Sequence, residues 1–260
     1  MNTPTPPTLA ATVLIVRDSA AGLEVFMVVR HHEIDFASGA LVFPGGKIDK
    51  ADHAPDLAEV SRGGEALDAT ELALRIGSIR EAYEECGILL ARPAGADAFI
   101  SGARLQELEV WRDKFNNGDA TMAEFARAEK LEFATDALGH YAHWVTPDNL
   151  KRRFDTHFYL ARAPQDHLAA HDGGESVDSV WITPQQALAE AEAGTRTIIF
   201  PTRLNIELLA KRADVADALA KCGDVLTVQP FYERDGERTY LRIRADAGYG
   251  DPREDVTRGG

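Results

Sequence analysis

Between Ala69 and Ile88 the chain places Leu72, Ile76, Ile79, Tyr83 and Cys86 at intervals of three and four, which at about 100° per residue align as one apolar stripe along a helix. A stripe of that kind must face a core. Gly87 stands just past it, where a chain leaves a helix through a left-handed conformation that a Cβ disfavours. The same wheel puts Glu81, Glu84 and Glu85 on the opposite side, at i, i+3 and i+4, so that their carboxylates share one patch. They lie at the negative pole of the helix, where each anion costs about 0.3–1 kcal/mol, and the like-charged pair Glu81/Glu85 adds roughly 0.2–0.5 kcal/mol. Helix stability alone would favour Lys there. A divalent cation reverses both penalties, because hard oxygen ligands at this spacing suit Mg2+, which binds carboxylates, water and phosphate oxygens at about 2.0–2.1 Å. The plain alternative is a solvated acidic face, since Glu is a good helix former.

Upstream, Leu41-Val42-Phe43-Pro44-Gly45-Gly46-Lys47-Ile48-Asp49 is an apolar strand-like run broken by Pro and two glycines. Paired glycines permit positive φ and a close backbone approach to a ligand, as phosphate-cradling loops require. Followed by Arg80-Glu81-Ala82-Tyr83-Glu84-Glu85-Cys86-Gly87-Ile88, the segment resembles the signature of the Nudix hydrolases, Gly-x5-Glu-x7-Arg-Glu-U-x-Glu-Glu-x-Gly-U, with Gly46 as its first glycine. Gly46 and Arg80 are 34 positions apart where the signature has 14, so 20 extra residues lie inside the motif. Counted back from Arg80, the signature's first glutamate falls on Leu72, with Glu71 and Glu65 nearby. The stretch from Lys50 to Thr70 is polar and acidic and reads as a long loop or lid.

The expanded motif narrows the resemblance to the Nudix branch that includes the peroxisomal coenzyme A diphosphatases. Three further stretches are similar to that branch: Gly39 to Gly46 with Arg30 upstream, Trp144-Val145-Thr146-Pro147 followed by Arg152-Arg153-Phe154-Asp155-Thr156, and Glu175 ahead of Trp181-Ile182-Thr183-Pro184. Against it, Asp35 and His31 stand where the coenzyme A signature of related enzymes has an Arg and a small residue. The resemblance implies a metal-dependent hydrolase that cleaves the diphosphate bond of a small nucleoside diphosphate derivative, with coenzyme A or acyl-coenzyme A leading and ADP-ribose or NADH behind. A non-catalytic Nudix-like nucleotide sensor and a non-Nudix interaction helix are the other readings; a sensor normally lacks acids that are all present here.

Glu81, Glu84 and Glu85 are accordingly expected to hold Mg2+ or Mn2+, with Glu84 or Glu85 as a candidate base, and Arg80 to orient a glutamate through charge-assisted hydrogen bonds. Glu175, on a loop before a strand, is a further candidate base or ligand. Gly45 and Gly46 are expected to position the substrate or the helix by backbone contacts, plain turn glycines being the alternative, and Arg30 upstream is a further candidate for substrate binding. Lys151-Arg152-Arg153, the densest basic cluster in an acidic chain, suits an extra phosphate such as the 3′-phosphate of coenzyme A, with a salt-bridged strand edge as an equal alternative. His140, His143 and His157 alternate within expected strands and could line a pocket, but read better as core or surface histidines; Trp144 and Trp181 read as core rather than as adenine-stacking residues.

The net charge of −14 over 260 residues argues against a nucleic-acid-coating surface. Two cysteines, Cys86 and Cys222, make neither a disulfide framework nor a zinc site and fit a reducing cytoplasm. No apolar run reaches the ~18 residues of a membrane span, no leader is expected ahead of Thr8, and the terminal Thr257-Arg258-Gly259-Gly260 is not a peroxisomal address. Oligomeric state is open, a homodimer included. Strands expected at 10–17, 25–31, 40–43, 141–145, 153–160, 179–182 and 240–243 are interrupted by helices at 69–86, 103–115, 121–130, 184–193, 202–211 and 215–221. That pattern, with the resemblance, gives an α/β fold: an α/β/α sandwich with a mixed sheet and an extra helical insertion. One domain is expected over 1–245, with insertions at about 50–70 and 100–135, a C-terminal helical part at about 200–222, and a flexible tail at 246–260.

Overall fold

The computed structural model describes residues 5–30, 39–167 and 176–257. Its spine is β1 (Thr8–Ser19), whose run Val13-Leu14-Ile15-Val16 is buried on both faces. Val13 and Ile15 enter one core, while Leu14 and Val16 enter the other. A strand apolar on both sides requires covering layers above and below it.

β1 pairs antiparallel with β2 (Gly22–Arg30) and parallel with β8 (Phe154–Arg162). Around them β3 (Leu41–Val42), β7 (Gly139–Val145) and β10 (Thr227–Val228) complete the order β10-β7-β8-β1-β2-β3. β4 (Gly45–Lys47) lies beside β1, and β9 (Ser176–Ile182) beside β2. On one side the sheet is covered by α1 (Ala69–Cys86), α2 (Gly102–Glu107), α3 (Val110–Asn116), α4 (Met122–Glu129) and a small ribbon of β5 (Ala91–Pro93) with β6 (Leu131–Phe133). The other side carries α5 (Pro184–Glu192), α6 (Phe200–Leu209) and α7 (Val215–Leu219). The architecture is the expected α/β/α sandwich. Among the described residues no helix is long and apolar enough to cross a membrane.

Two expectations need correction. The stretch from Lys50 to Thr70 is not a lid: three short 3-10 turns hold it down, Leu57 is fully buried, and Arg62 ties it to Glu132 at 2.6 Å and Asp97 at 2.9 Å. Nor does the chain hang free after Ala245. β13 (Arg253–Asp255) pairs with β12 (Arg238–Arg242), itself paired with β11 (Phe231–Asp235), and Tyr249 donates to Asn205 on α6 at 2.7 Å.

Candidate active site

Asp68 caps α1 by accepting from the N–H groups of Thr70 and Glu71, and Gly87 ends it at φ 64°. The expected stripe is buried throughout. The opposite face, however, is also covered: Gly77 has no Cβ because Ile48 Cδ1 would stand 2.5 Å from one and Asp52 Oδ2 3.2 Å. The segment after β4 therefore lies on the helix, and the acids are half-buried rather than solvated, Glu81 and Glu84 having side chains only 13% and 18% exposed.

That segment brings in a residue the sequence reading missed. Asp52 is 1% exposed and takes the buried Arg80 guanidinium through Nη2 at 2.9 Å and Nε at 3.1 Å, while accepting the N–H of Asp49 at 2.9 Å. Counted forward from Gly46, Asp52 falls at the position of the signature's first glutamate. The extra 20 residues all follow it, so counting back from Arg80 crossed the insertion and landed on Leu72, a core residue. The forward count was available in the sequence.

Arg80 is the hub. Its Nη1 donates to Glu81 at 2.9 Å and Glu84 at 3.0 Å, and Nη2 donates to the carbonyl of Lys47 at 3.0 Å. Burial alone would discourage its charge, but the hydrogen bonds to Asp52 and the charges of Glu81, Asp52 and Glu84 outweigh it and hold Arg80 cationic. Because that one cation is divided among three acids, burial pushes Glu81 up to about 7 against the pull of Arg80, with Glu84 adding to the rise; burial likewise raises Glu84. Glu85 instead accepts the N–H of Gly45 at 3.1 Å. The three glutamates are thus neighbours at the end of α1, with Glu81 and Glu84 meeting at a guanidinium and Glu85 turned to β4.

Gly45 and Gly46 form no phosphate-cradling loop. They pair with Thr12 and Ala11 of β1 as extended strand. A Cβ on Gly45 would run into the β1 backbone, 2.6 Å from Thr12 Cα, and one on Gly46 would lie 2.5 Å from Glu81 Oε1. Their smallness thus brings two strands together at the first and admits a carboxylate at the second.

The basic cluster divides. Arg153 is buried, and each of its nitrogens is committed, Nε to the Thr146 carbonyl at 3.2 Å, Nη1 to that of Thr5 at 2.7 Å and Nη2 to Asp148 at 2.5 Å. It is held in a structural role, as the salt-bridged alternative has it, rather than turned to a phosphate. Lys151 and Arg152 are exposed and line, with Lys47, a cavity of about 250 Å³. Since the Lys47 carbonyl is held by Arg80, this cavity adjoins the acidic cluster. Arg30 contributes its backbone to β2 opposite Ser176; its side chain, with Glu175, His31 and Asp35, lies outside the described residues.

The family described as NUDT19 Nudix domain matches residues 61–204, more than half of the chain. The chain belongs to this Nudix family. The match begins after Asp52, so the first half of the Nudix box rests on the geometry above. Among curated relatives, the acyl-coenzyme A diphosphatase NUDT19 of Xenopus laevis is 24% identical over 214 residues, covering 67% of this chain and 56% of the relative. That of Homo sapiens is 25% identical over 244 residues, covering 78% and 64%. The chain therefore spans somewhat over half the length of these relatives. A Nudix hydrolase crystal structure from Alicyclobacillus acidocaldarius is 26% identical and superposes with a TM-score of 0.68, covering 84% of this chain and 98% of that one.

Proposed function

We propose that this Nudix chain hydrolyses the diphosphate bond of a nucleoside diphosphate derivative, coenzyme A or acyl-coenzyme A first among them. The observation that carries the reading is the buried Asp52–Arg80 pair with Glu81 and Glu84 on the same guanidinium, next to a cavity lined by the exposed cations Lys47, Lys151 and Arg152. An arginine buried only to organise carboxylates has little structural purpose, because a well-packed apolar cluster would serve stability as well.

The donor set is all carboxylate oxygen, which suits Mg2+ or Mn2+. Glu81, Glu84 and Glu85 would hold the ion, which when bound supplies charge neutralisation to the diphosphate and acidity to a coordinated water. Arg80 positions Glu81 and Glu84 and, through the Lys47 carbonyl, the cavity wall. Glu84, Glu85 and Glu175 are the candidates for accepting the proton of the attacking water, and Arg30 remains a proposed substrate contact. Lys47, Lys151 and Arg152 present exposed cations at the distance of an adjoining cavity, as a ligand with a phosphate beyond its diphosphate requires; the names of the NUDT19 relatives support the same substrate class. The partner is a small molecule, and a cytoplasmic setting is proposed on the cysteine content alone.

The test is turnover by the purified chain, with Mg2+ or Mn2+, of coenzyme A, acyl-coenzyme A, ADP-ribose, NADH and dinucleoside polyphosphates, with Glu84→Gln and Glu85→Gln as controls. Cleavage of coenzyme A to adenosine 3′,5′-bisphosphate and 4′-phosphopantetheine is the expected result. Turnover of ADP-ribose alone would overturn the substrate, and unimpaired glutamine variants the mechanism.

A further inference from the structure

On the face of the sheet that α1 leaves partly open, β7 and β8 bring together a second constellation whose chemistry differs from that of the Nudix box. His143 is register partner of His157, and Asp155, two residues earlier on β8, points to the same side. One ligand atom from each lies within 4.8 Å of the others, the one such trio of His, Cys, Asp and Glu among the described residues. All three are half-buried, the two histidine side chains 16% exposed and Asp155 31%.

The three side chains converge on one another, held in part by a hydrogen bond that a bound ion would replace. His143 Nε2 stands 2.5 Å from Asp155 Oδ1, and His157 Nε2 stands 3.8 Å from the same oxygen. The second separation is too long for a hydrogen bond, but it is close to the ~3.3 Å between two ligands of a tetrahedral ion with bonds of about 2.0–2.1 Å. The far nitrogens are both engaged: His143 Nδ1 with Thr227 Oγ1 of β10 at 2.9 Å, and His157 Nδ1 with His140 Nε2 at 3.2 Å. A threonine hydroxyl donates or accepts. At 2.5 Å a proton lies between His143 Nε2 and Asp155 Oδ1 in the metal-free state; an incoming cation would displace it, and His143, by donating Nδ1–H to Thr227 Oγ1, would then leave its Nε2 lone pair free to bind. His157 does the same by donating Nδ1–H to His140. Outer partners of this kind fix the tautomer of metal-binding imidazoles. The rings of His143 and His157 are stacked, 4.0 Å apart and 22° from parallel, and the Nε2 atom of each lies toward the same Asp155 oxygen.

We propose that His143, Asp155 and His157 form a second metal site, selective for Zn2+ or a neighbouring first-row transition ion, with His140 and Thr227 orienting its ligands. Two imidazoles and a carboxylate suit these ions and disfavour Mg2+, which takes oxygen. Three protein ligands would leave one position for water, and Asp155 is the most exposed of the three. By joining β7 to β8, and through Thr227 to β10, the ion clips the edge of the sheet. The site stands whether or not the chain cleaves diphosphates.

The experiment uses the full chain stripped with a chelator and returned to excess Mg2+. Co2+ titration should produce the intense visible absorption of a four-coordinate nitrogen-containing site, at one equivalent, and Zn2+ should displace it. Zn2+ should raise the melting temperature of the wild type and of the Glu84→Gln/Glu85→Gln variant alike by several degrees, as tight ligands do. His143→Asn, Asp155→Asn and His157→Asn should each weaken Zn2+ binding by at least about tenfold, while melting cooperatively without metal. Only the faint spectrum of octahedral oxygen-bound Co2+, or Zn2+ affinity that falls in the glutamine variant and not in the asparagine variants, would overturn the proposal. The cobalt spectrum of the wild type decides the geometry independently of any variant's folding.

Discussion

Gly45 and Gly46 are adjacent, paired to the same strand and equally devoid of a side chain, yet a single methyl should affect them in different ways. In Gly46→Ala the new Cβ would stand 2.5 Å from Oε1 and 2.7 Å from Cδ of Glu81. Ordinary contact begins near 3.4 Å, so the carboxyl group must retreat by about 1 Å, and since it ends a flexible side chain it can. The fold should lose about 1 kcal/mol, for one strained rotamer and a weakened bond to Arg80. A ligand displaced by 1 Å, however, costs about 100-fold in rate. In Gly45→Ala the obstacle is the backbone of β1, at Ala11 O and Thr12 Cα. Overpacking against a main chain that cannot yield should cost about 3 kcal/mol, which for a domain of this size lowers the melting temperature by roughly 6–12 °C. The assay is a pair of measurements on each variant: a thermal melt, and kcat/KM against Mg2+ concentration. Gly46→Ala should melt near the wild type while its Mg2+ requirement rises and its rate falls. If it keeps full activity, the position of Glu81 under β4 is irrelevant to catalysis and the assignment fails; if both variants are equally destabilised, the distinction between strand contact and carboxylate contact fails.

Three further outcomes are expected. Asp52→Ala strips a buried cation of its principal partner and should cost about 3 kcal/mol by urea denaturation, the low end for a broken buried pair because Glu81 and Glu84 remain; a loss under 0.5 kcal/mol would remove Asp52 as the anchor. Lys151→Ala and Arg152→Ala should each raise KM for coenzyme A by about tenfold or more, as the ~1.5 kcal/mol low end for one charge-assisted contact implies, and leave KM for dephospho-coenzyme A unchanged; equal effects on both substrates would place the cavity's cations elsewhere than on the 3′-phosphate. Burial raises the Cys222 thiol to about 11, so at pH 8 only about one molecule in 1,000 carries the thiolate, against about one in four for a free cysteine. Its alkylation in the native protein should be slow and rise about tenfold per pH unit toward 11, and a plateau near pH 9 would contradict that burial.

How much of this the sequence disclosed depended on whether the information was local. The stripe of α1, its Gly87 terminus, and the strand now seen as β1 carry their period or their punctuation within one element, and each was legible. The same is true of Thr183, whose side chain caps α5 ahead of Pro184. Asp52 was present at the right forward count, but an insertion displaces a fixed spacing and only three-dimensional contact with Arg80 shows on which side it falls. Leu57 looked like one apolar residue in a polar stretch; that it is a core residue follows from the arrival of β6 and α4, some 70 positions later. His143 and His157 were noticed as alternating histidines, while Asp155 joined them only through the β7–β8 register, which no single strand encodes. Arg153 shows the reverse: a basic run reads as one patch, yet the three residues lie in the bend ahead of β8, where Arg153 turns inward onto Thr5, Thr146 and Asp148 while Lys151 and Arg152 stay exposed.

The pinned segment after Asp52 bears on how such motifs change length. Twenty-seven positions now separate Asp52 from Arg80 where seven would serve, and by chain statistics the longer closure costs about 1.2 kcal/mol. Burying the Leu57 side chain contributes about 1.5–3 kcal/mol in return, enough on its own to offset the added slack. A gap inside a catalytic signature can thus widen almost neutrally, provided the newcomer supplies one good apolar anchor, and two halves of a motif that no linear pattern would join can still close on the same guanidinium.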